Sequence, residues 1–215
     1  NKSPLIFSFF GVSDWLFGVN YWFPRILGIL VQSTGIFFLY QIVVIRSGKQ
    51  AGLMAAVIYG LSLTWHATGG KYVSFTETYS ITCVLVCIYF ILKQNGKSND
   101  FVAGLFSGFG LWFRIASVFS IPLVYIYLIR HRKQGIFYFT LGLVLAVSFI
   151  AIIFSLAGVA VSEYWFYGFT DNFGTGSPTD HTLSWKMQAF SGAFFFSQLV
   201  LFHPFVMIYC LISKR

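Results

Sequence analysis

Apolar residues in this chain come in long blocks separated by short polar knots, without the strict alternation of a membrane β-strand. Blocks near 20 residues match the helix length needed to cross a hydrocarbon core of roughly 30 Å. The pattern predicts an all-α, polytopic bundle of transmembrane helices. The first block, residues 5–17 (LIFSFFGVSDWLF), is too short to span and sets Asp14 and Trp15 among aromatics. That is the pattern of a helix lying in the membrane interface.

Spans follow from Phe23 to Ile45, from Ala51 to Trp65, from Thr78 to Leu92 and from Ile136 to Val159. A last span, Met187 to Ile212, contains His203-Pro204, where proline predicts a kink. The segment from Phe101 to Gly135 reads either as one long helix or as two short segments turning near Arg114. One helix would carry Arg130, His131, Arg132 and Lys133 to the face opposite the other basic loops. A hairpin returns that run, so that Arg46, Lys49, Lys93, Lys97, Arg130, Arg132, Lys133, Lys214 and Arg215 share one face. The positive-inside rule favours the hairpin and makes this face cytoplasmic. The result is about six to seven membrane segments plus the interfacial helix, in a single domain over 1–215 with an extracytoplasmic loop at 160–186.

Composition agrees: the chain is 57% hydrophobic, 21% aromatic and only 9% charged, which excludes an ordinary water-soluble domain. The net charge of +8 does not indicate nucleic acid, because the basic residues are scattered between spans and form no patch. Cys83, Cys87 and Cys210 fall inside apolar blocks and read as packing residues rather than a disulfide framework. The start in Asn1-Lys2 without a methionine and the end directly after a span indicate a fragment of a longer protein.

Under this topology the outward face collects Lys2, Asp14, Arg25, His66, Lys71, Glu77, Arg114, Glu163, Asp171, Asp180 and His181. Ionisable groups near span ends are costly unless they serve a ligand or partner. Mixed cations and carboxylates at headgroup depth suit a substrate with an anionic phosphate and a hydroxyl-rich body. Plainer readings stand beside these. Arg25 after Pro24 is placed to snorkel, and Lys71 and Lys186 to be solvated loop charges. Glu77, where a span begins, either serves the helix N-terminus or addresses a substrate hydroxyl. Glu163, Asp171, Asp180 and His181 carry ligand chemistry for a divalent cation at irregular spacing; no metal site is assigned and the cation is left open. The glycines of GLFSGFG (104–110) precede no lysine and no strand, so close helix packing explains them better than a phosphate loop.

Three stretches carry a resemblance. They are Asn1-Lys2-Ser3-Pro4-Leu5, Leu16-Phe17-Gly18 and Pro24-Arg25-Ile26-Leu27. In order and spacing they resemble the segment after the first outer loop of GT-C class membrane glycosyltransferases, the protein-mannosyltransferase-like and aminoarabinose-transferase-like group. TETYSI (76–81) is similar to that group's acidic position at a helix start, and AGLFSGFGLWFRIAS (103–117) to its hairpin, with Arg114 where lysine is common. Ser3 departs from the group's first proline. The similarity runs over nearly the first 170 residues.

The resemblance implies a polyprenyl-phosphate-linked sugar donor and an acceptor hydroxyl on a lipid, polysaccharide or protein, outside a bacterial or archaeal plasma membrane. It implies that Lys2, then Arg114, meet the donor phosphate and that Glu77 orients sugar or acceptor, with Arg25, His66 and Lys71 as further substrate-binding candidates. The group's catalytic carboxylates belong to an outer loop expected before Asn1, so the catalytic residue is not identified, Glu77 stands as a catalytic candidate within the chain, and this fragment alone is expected to be inactive. The competing class is a transporter or flippase of a lipid-linked or small polar substrate. It calls for ionisable groups near mid-membrane and repeated halves, whereas here the charges sit mainly at the span ends and no clear internal repeat stands out. A purely structural membrane subunit is the third reading.

Overall fold

The structure is a computed structural model, and it describes residues 4–19, 22–65, 76–93, 96–162 and 164–165. All of these fall in the unit 1–169. Lys2, His66, Lys71, Glu163, Asp171, Asp180, His181, Lys186, Cys210 and the span containing His203-Pro204 lie outside the described residues.

The described residues form seven α-helices and no strands. They are α1 (Pro4–Phe17), α2 (Trp22–Ser47), α3 (Lys49–Trp65), α4 (Thr76–Leu92), α5 (Lys97–Phe113), α6 (Ser120–His131) and α7 (Lys133–Leu156), with a 3-10 turn at Ile115–Phe119 between α5 and α6. The all-helical expectation holds, and among the described residues each predicted span from Phe23 to Val159 has its helix within a few residues. Two helices, α2 and α7, are long and apolar enough to cross a membrane. The 17-residue helices α3, α4 and α5 each run about 25 Å, a little short of the hydrocarbon core.

The two readings of residues 101–135 are resolved for the hairpin. α5 stops at Phe113, Arg114 is extended, and α6 returns. Alternating directions bring the helix ends together in two sets. Gly48, at φ +87°, makes the one-residue reversal from α2 to α3. Phe38 of α2 meets Tyr89 of α4 at 5.1 Å, and the Thr82 hydroxyl donates to the Val31 carbonyl at 3.3 Å, so α2 and α4 run parallel. Tyr79 at the start of α4 stacks on Phe113 at the end of α5, 5.0 Å between centroids. One end of the helices therefore carries Arg25, Glu77 and Arg114; the other carries Arg46, Lys49, Lys93, Lys97, Arg130, Arg132 and Lys133.

The most extensive packing is α5 against α7, and it uses Gly104 and Gly108 of GLFSGFG as a close-packing face. A Cβ at Gly108 would lie 2.6 Å from the Ala146 Cβ and 2.9 Å from the Leu143 carbonyl oxygen, and one at Gly104 would meet the Phe139 and Leu143 backbone. Only glycine lets two backbones approach this closely. Trp112 and Phe139, both 0% exposed, close the seam at either end, and the Trp112 indole donates to the Val147 carbonyl at 3.3 Å.

Outward surfaces are apolar. Leu30, Phe37, Leu53, Met54, Phe137 and Phe149 are all exposed, an arrangement water would penalise and lipid does not. α1 lies across the helix ends: Ile6 and Phe9 pack on Tyr79 and Phe113, and Phe17 meets Phe23 of α2 at 5.2 Å. Phe7, Phe10, Trp15 and Leu16 face outward with Asp14. Both sides of α1 are thus apolar, one spent on the bundle and one left for its surroundings.

Candidate functional site

The site is built at the Arg114 end, where α5 terminates. Arg114 is extended (φ −158°, ψ 123°) between Phe113 and Ile115, which are both buried, so its own side chain points the other way. Its backbone is tied on both sides. The Arg114 N–H donates to the Gly110 carbonyl at 3.0 Å, while its carbonyl accepts from the Ser117 amide at 3.0 Å and the Ser117 hydroxyl at 2.9 Å. The last carbonyls of α5 are further served by the Tyr164 hydroxyl, which donates to Trp112 at 3.0 Å and Leu111 at 3.3 Å. Tyr164 also stacks on Trp112, its ring 5.4 Å away and 9° from parallel. The first residues of the loop expected at 160–186 therefore brace the hairpin that holds Arg114.

Glu77 comes from the first turn of α4, where a carboxylate is favoured by the helix dipole. Its Oε1 accepts a hydrogen bond from Arg114 Nη1 in an ion pair. Thirty-seven residues apart in sequence, two of the candidate site residues, Glu77 and Arg114, are thus brought together. The pair is neither buried nor free in water: the side chains keep 38% and 45% of their surface. Beneath it Phe9, Tyr79 and Phe113 stack mutually at 5.0 to 6.0 Å, a rigid aromatic floor joining α1, α4 and α5.

Arg25 lies at the same end of the bundle, exposed in the first turn of α2, with its guanidinium 5.9 Å from the Trp22 ring. That is an interfacial anchor's arrangement. Lys2, His66 and Lys71, the other cationic candidates, and the cation-ligand candidates Glu163, Asp171, Asp180 and His181 lie outside the described residues. Among the described residues no three His, Cys, Asp or Glu side chains come together. Tyr164 was missed by sequence reasoning; its signal was weak, an aromatic among aromatics in EYWFYGF.

A family model described as dolichyl-phosphate-mannose-protein mannosyltransferase matches residues 1–157. The chain belongs to this family. The match covers α1 through α7 and so includes both Glu77 and Arg114. Comparison with curated proteins and with solved structures returned no match. Membership makes this a membrane glycosyltransferase family chain, with a lipid-linked sugar as donor and an acceptor for it. In those terms a cation and a carboxylate at one end of apolar helices offer distinct chemistry. Arginine matches phosphate oxygens in a planar fork, and carboxylates accept from sugar or acceptor hydroxyls.

Proposed function

We propose that the protein transfers a sugar from a polyprenyl-phosphate donor to an acceptor hydroxyl of a lipid, polysaccharide or protein on the extracytoplasmic face of the membrane. The observation that carries this reading is the Glu77–Arg114 pair, half-exposed on a braced hairpin, in a chain of the mannosyltransferase family. The collection of basic residues at the opposite end supports an outward orientation for the pair. Arg114, together with Lys2, meets the donor phosphate. In the absence of donor Arg114 is engaged by Glu77, and the singly charged phosphodiester of the donor competes for the same guanidinium. Its arrival releases Glu77 Oε1 from Arg114, and that oxygen then accepts from a sugar or acceptor hydroxyl. The acceptor oxygen then bonds the anomeric carbon as the carbon–oxygen bond to phosphate breaks. Polyprenyl phosphate leaves with its new charge stabilised by the cations, and the hydroxyl proton passes to a general base.

The test is transfer of radiolabelled sugar from a polyprenyl-phosphate donor, in membranes holding the full-length enzyme. Arg114→Ala and Lys2→Ala are expected to raise the donor KM by about tenfold or more, the weight of one charge-assisted phosphate contact. Glu77→Gln is expected to lower kcat with a smaller effect on donor KM. Unaltered transfer in all three variants would remove the site. Movement of a lipid-linked substrate across vesicles without any transfer would put the transporter reading in its place.

A further inference from the structure

The end of the bundle opposite Arg114 is unused by the proposed chemistry, and its charge is one-sided. Chain reversal places there the C-terminal turns of α2, α4 and α6 and the N-terminal turns of α3, α5 and α7. These turns contribute Arg46, Lys49, Lys93, Lys97, Arg130 and Lys133, all exposed. The one carboxylate among the described residues of this end, Asp100, is buried and paired with Arg132 at 2.8 Å. It is therefore spent inside the fold and does not neutralise the exposed set.

Two of the cations are held against aromatic rings. The Lys93 ammonium lies 5.6 Å from the Tyr89 ring centre and the Lys97 ammonium 5.4 Å from that of Tyr138. Such contacts restrain long flexible side chains near the helix barrel. Both spanning-length helices, α2 and α7, have one terminus at this level, so the cations lie where hydrocarbon gives way to headgroups.

We propose that this end is a docking surface for anionic phospholipid headgroups, with Lys93, Lys97, Arg130 and Lys133 as its phosphate-contacting centre. Charge complementarity selects the occupant: an unneutralised cationic rim at headgroup depth faces phosphates before anything else, and anionic headgroups add a net charge that zwitterionic ones lack. The inference is independent of the glycosyltransferase reading and of which leaflet the rim faces.

The experiment reconstitutes the full chain in phosphatidylcholine membranes doped with spin-labelled phosphatidylglycerol or spin-labelled phosphatidylcholine, and compares the motionally restricted fraction of each. Enrichment of the anionic lipid by about fivefold is expected, the ratio of one net favourable cation contact. It should fall to parity in the Lys93→Gln/Lys97→Gln/Arg130→Gln/Lys133→Gln variant. With the unaltered protein it should collapse at about 1 M salt, where the screening length is near 3 Å. Equal restriction of both lipids in the unaltered protein overturns the proposal, as does enrichment that survives in the variant. Displacement of the anionic lipid by inorganic phosphate at matched ionic strength would overturn lipid as the occupant.

Discussion

Replacing Gly104 by alanine tests the seam on which the hairpin rests. A methyl group there would sit 2.9 Å from the Leu143 amide nitrogen, and closer still to the Phe139 carbonyl oxygen. Ordinary contact begins near 3.4 Å, so α5 and α7 must part by at least 0.5 Å. Both obstructing atoms are backbone, so no side-chain rotation relieves the clash. The Phe139 oxygen demands a wider separation still, and a gap of about 0.5–1 Å already forfeits about a quarter to a half of the dispersion attraction between facing atoms. Overpacking of this kind costs about 1–3 kcal/mol, and the rigid obstruction places Gly104 near the top of that range. Alanine returns about 1 kcal/mol through its helix propensity, leaving a net loss of about 2 kcal/mol. Gly11 in α1 is the matched control: it has nothing within 4 Å of its Cβ position, so Gly11→Ala should stabilise by up to about 1 kcal/mol. Unfolding of both variants in detergent micelles, followed by circular dichroism against denaturant, gives the two free energies. If Gly104→Ala proved as stable as Gly11→Ala, the close approach of α5 and α7 would be refuted.

The remaining predictions concern charge and thiols. Asp100 is 3% exposed, and Arg132 donates to the Ile91 carbonyl at 2.8 Å while pairing with Asp100, so the two tie α4, α5 and the α6–α7 turn. Asp100→Ala should cost about 3 kcal/mol in the same unfolding assay by leaving the arginine uncompensated. The double change Asp100→Leu/Arg132→Met should be nearly neutral, since Arg132 Nε and Nη1 already lack hydrogen-bond partners; a double variant worse than the single would sink this account. Exchanging the outer pair, Glu77→Arg/Arg114→Glu, should alter stability by no more than about 1 kcal/mol while abolishing sugar transfer. Retained transfer would show that the pair serves only the fold. Cys83 and Cys87 are buried among Tyr79, Phe113, Ala103 and Phe139, and should resist maleimide in the folded protein and react on unfolding. Rapid labelling of Cys83 or Cys87 in the folded state, read by peptide mapping, would contradict the packing of α4.

Much of the helical organisation was legible in the chain because the energies that set it are local and large. Twenty apolar residues cannot be solvated, and a run such as Arg130 to Lys133 cannot be drawn across hydrocarbon, so spans and the hairpin follow from hydropathy and charge alone. GLFSGFG could likewise be read as a packing face, since small residues at that spacing have little else to offer. Partners were not legible. That Glu77 meets Arg114 and Asp100 meets Arg132 depends on the order and direction in which α4, α5 and α7 stack, and side-chain reach across helices leaves no periodic trace in a sequence. Tyr164 is the same case: only the fold makes one aromatic among many the brace of the α5 terminus. The sequence by itself determined an all-helical membrane chain with a basic end and a chemically mixed end. The tertiary structure alone decided which of the described charges at those ends pair with one another and which stand exposed without an ion pair, because that choice turns on distances between helices distant along the chain.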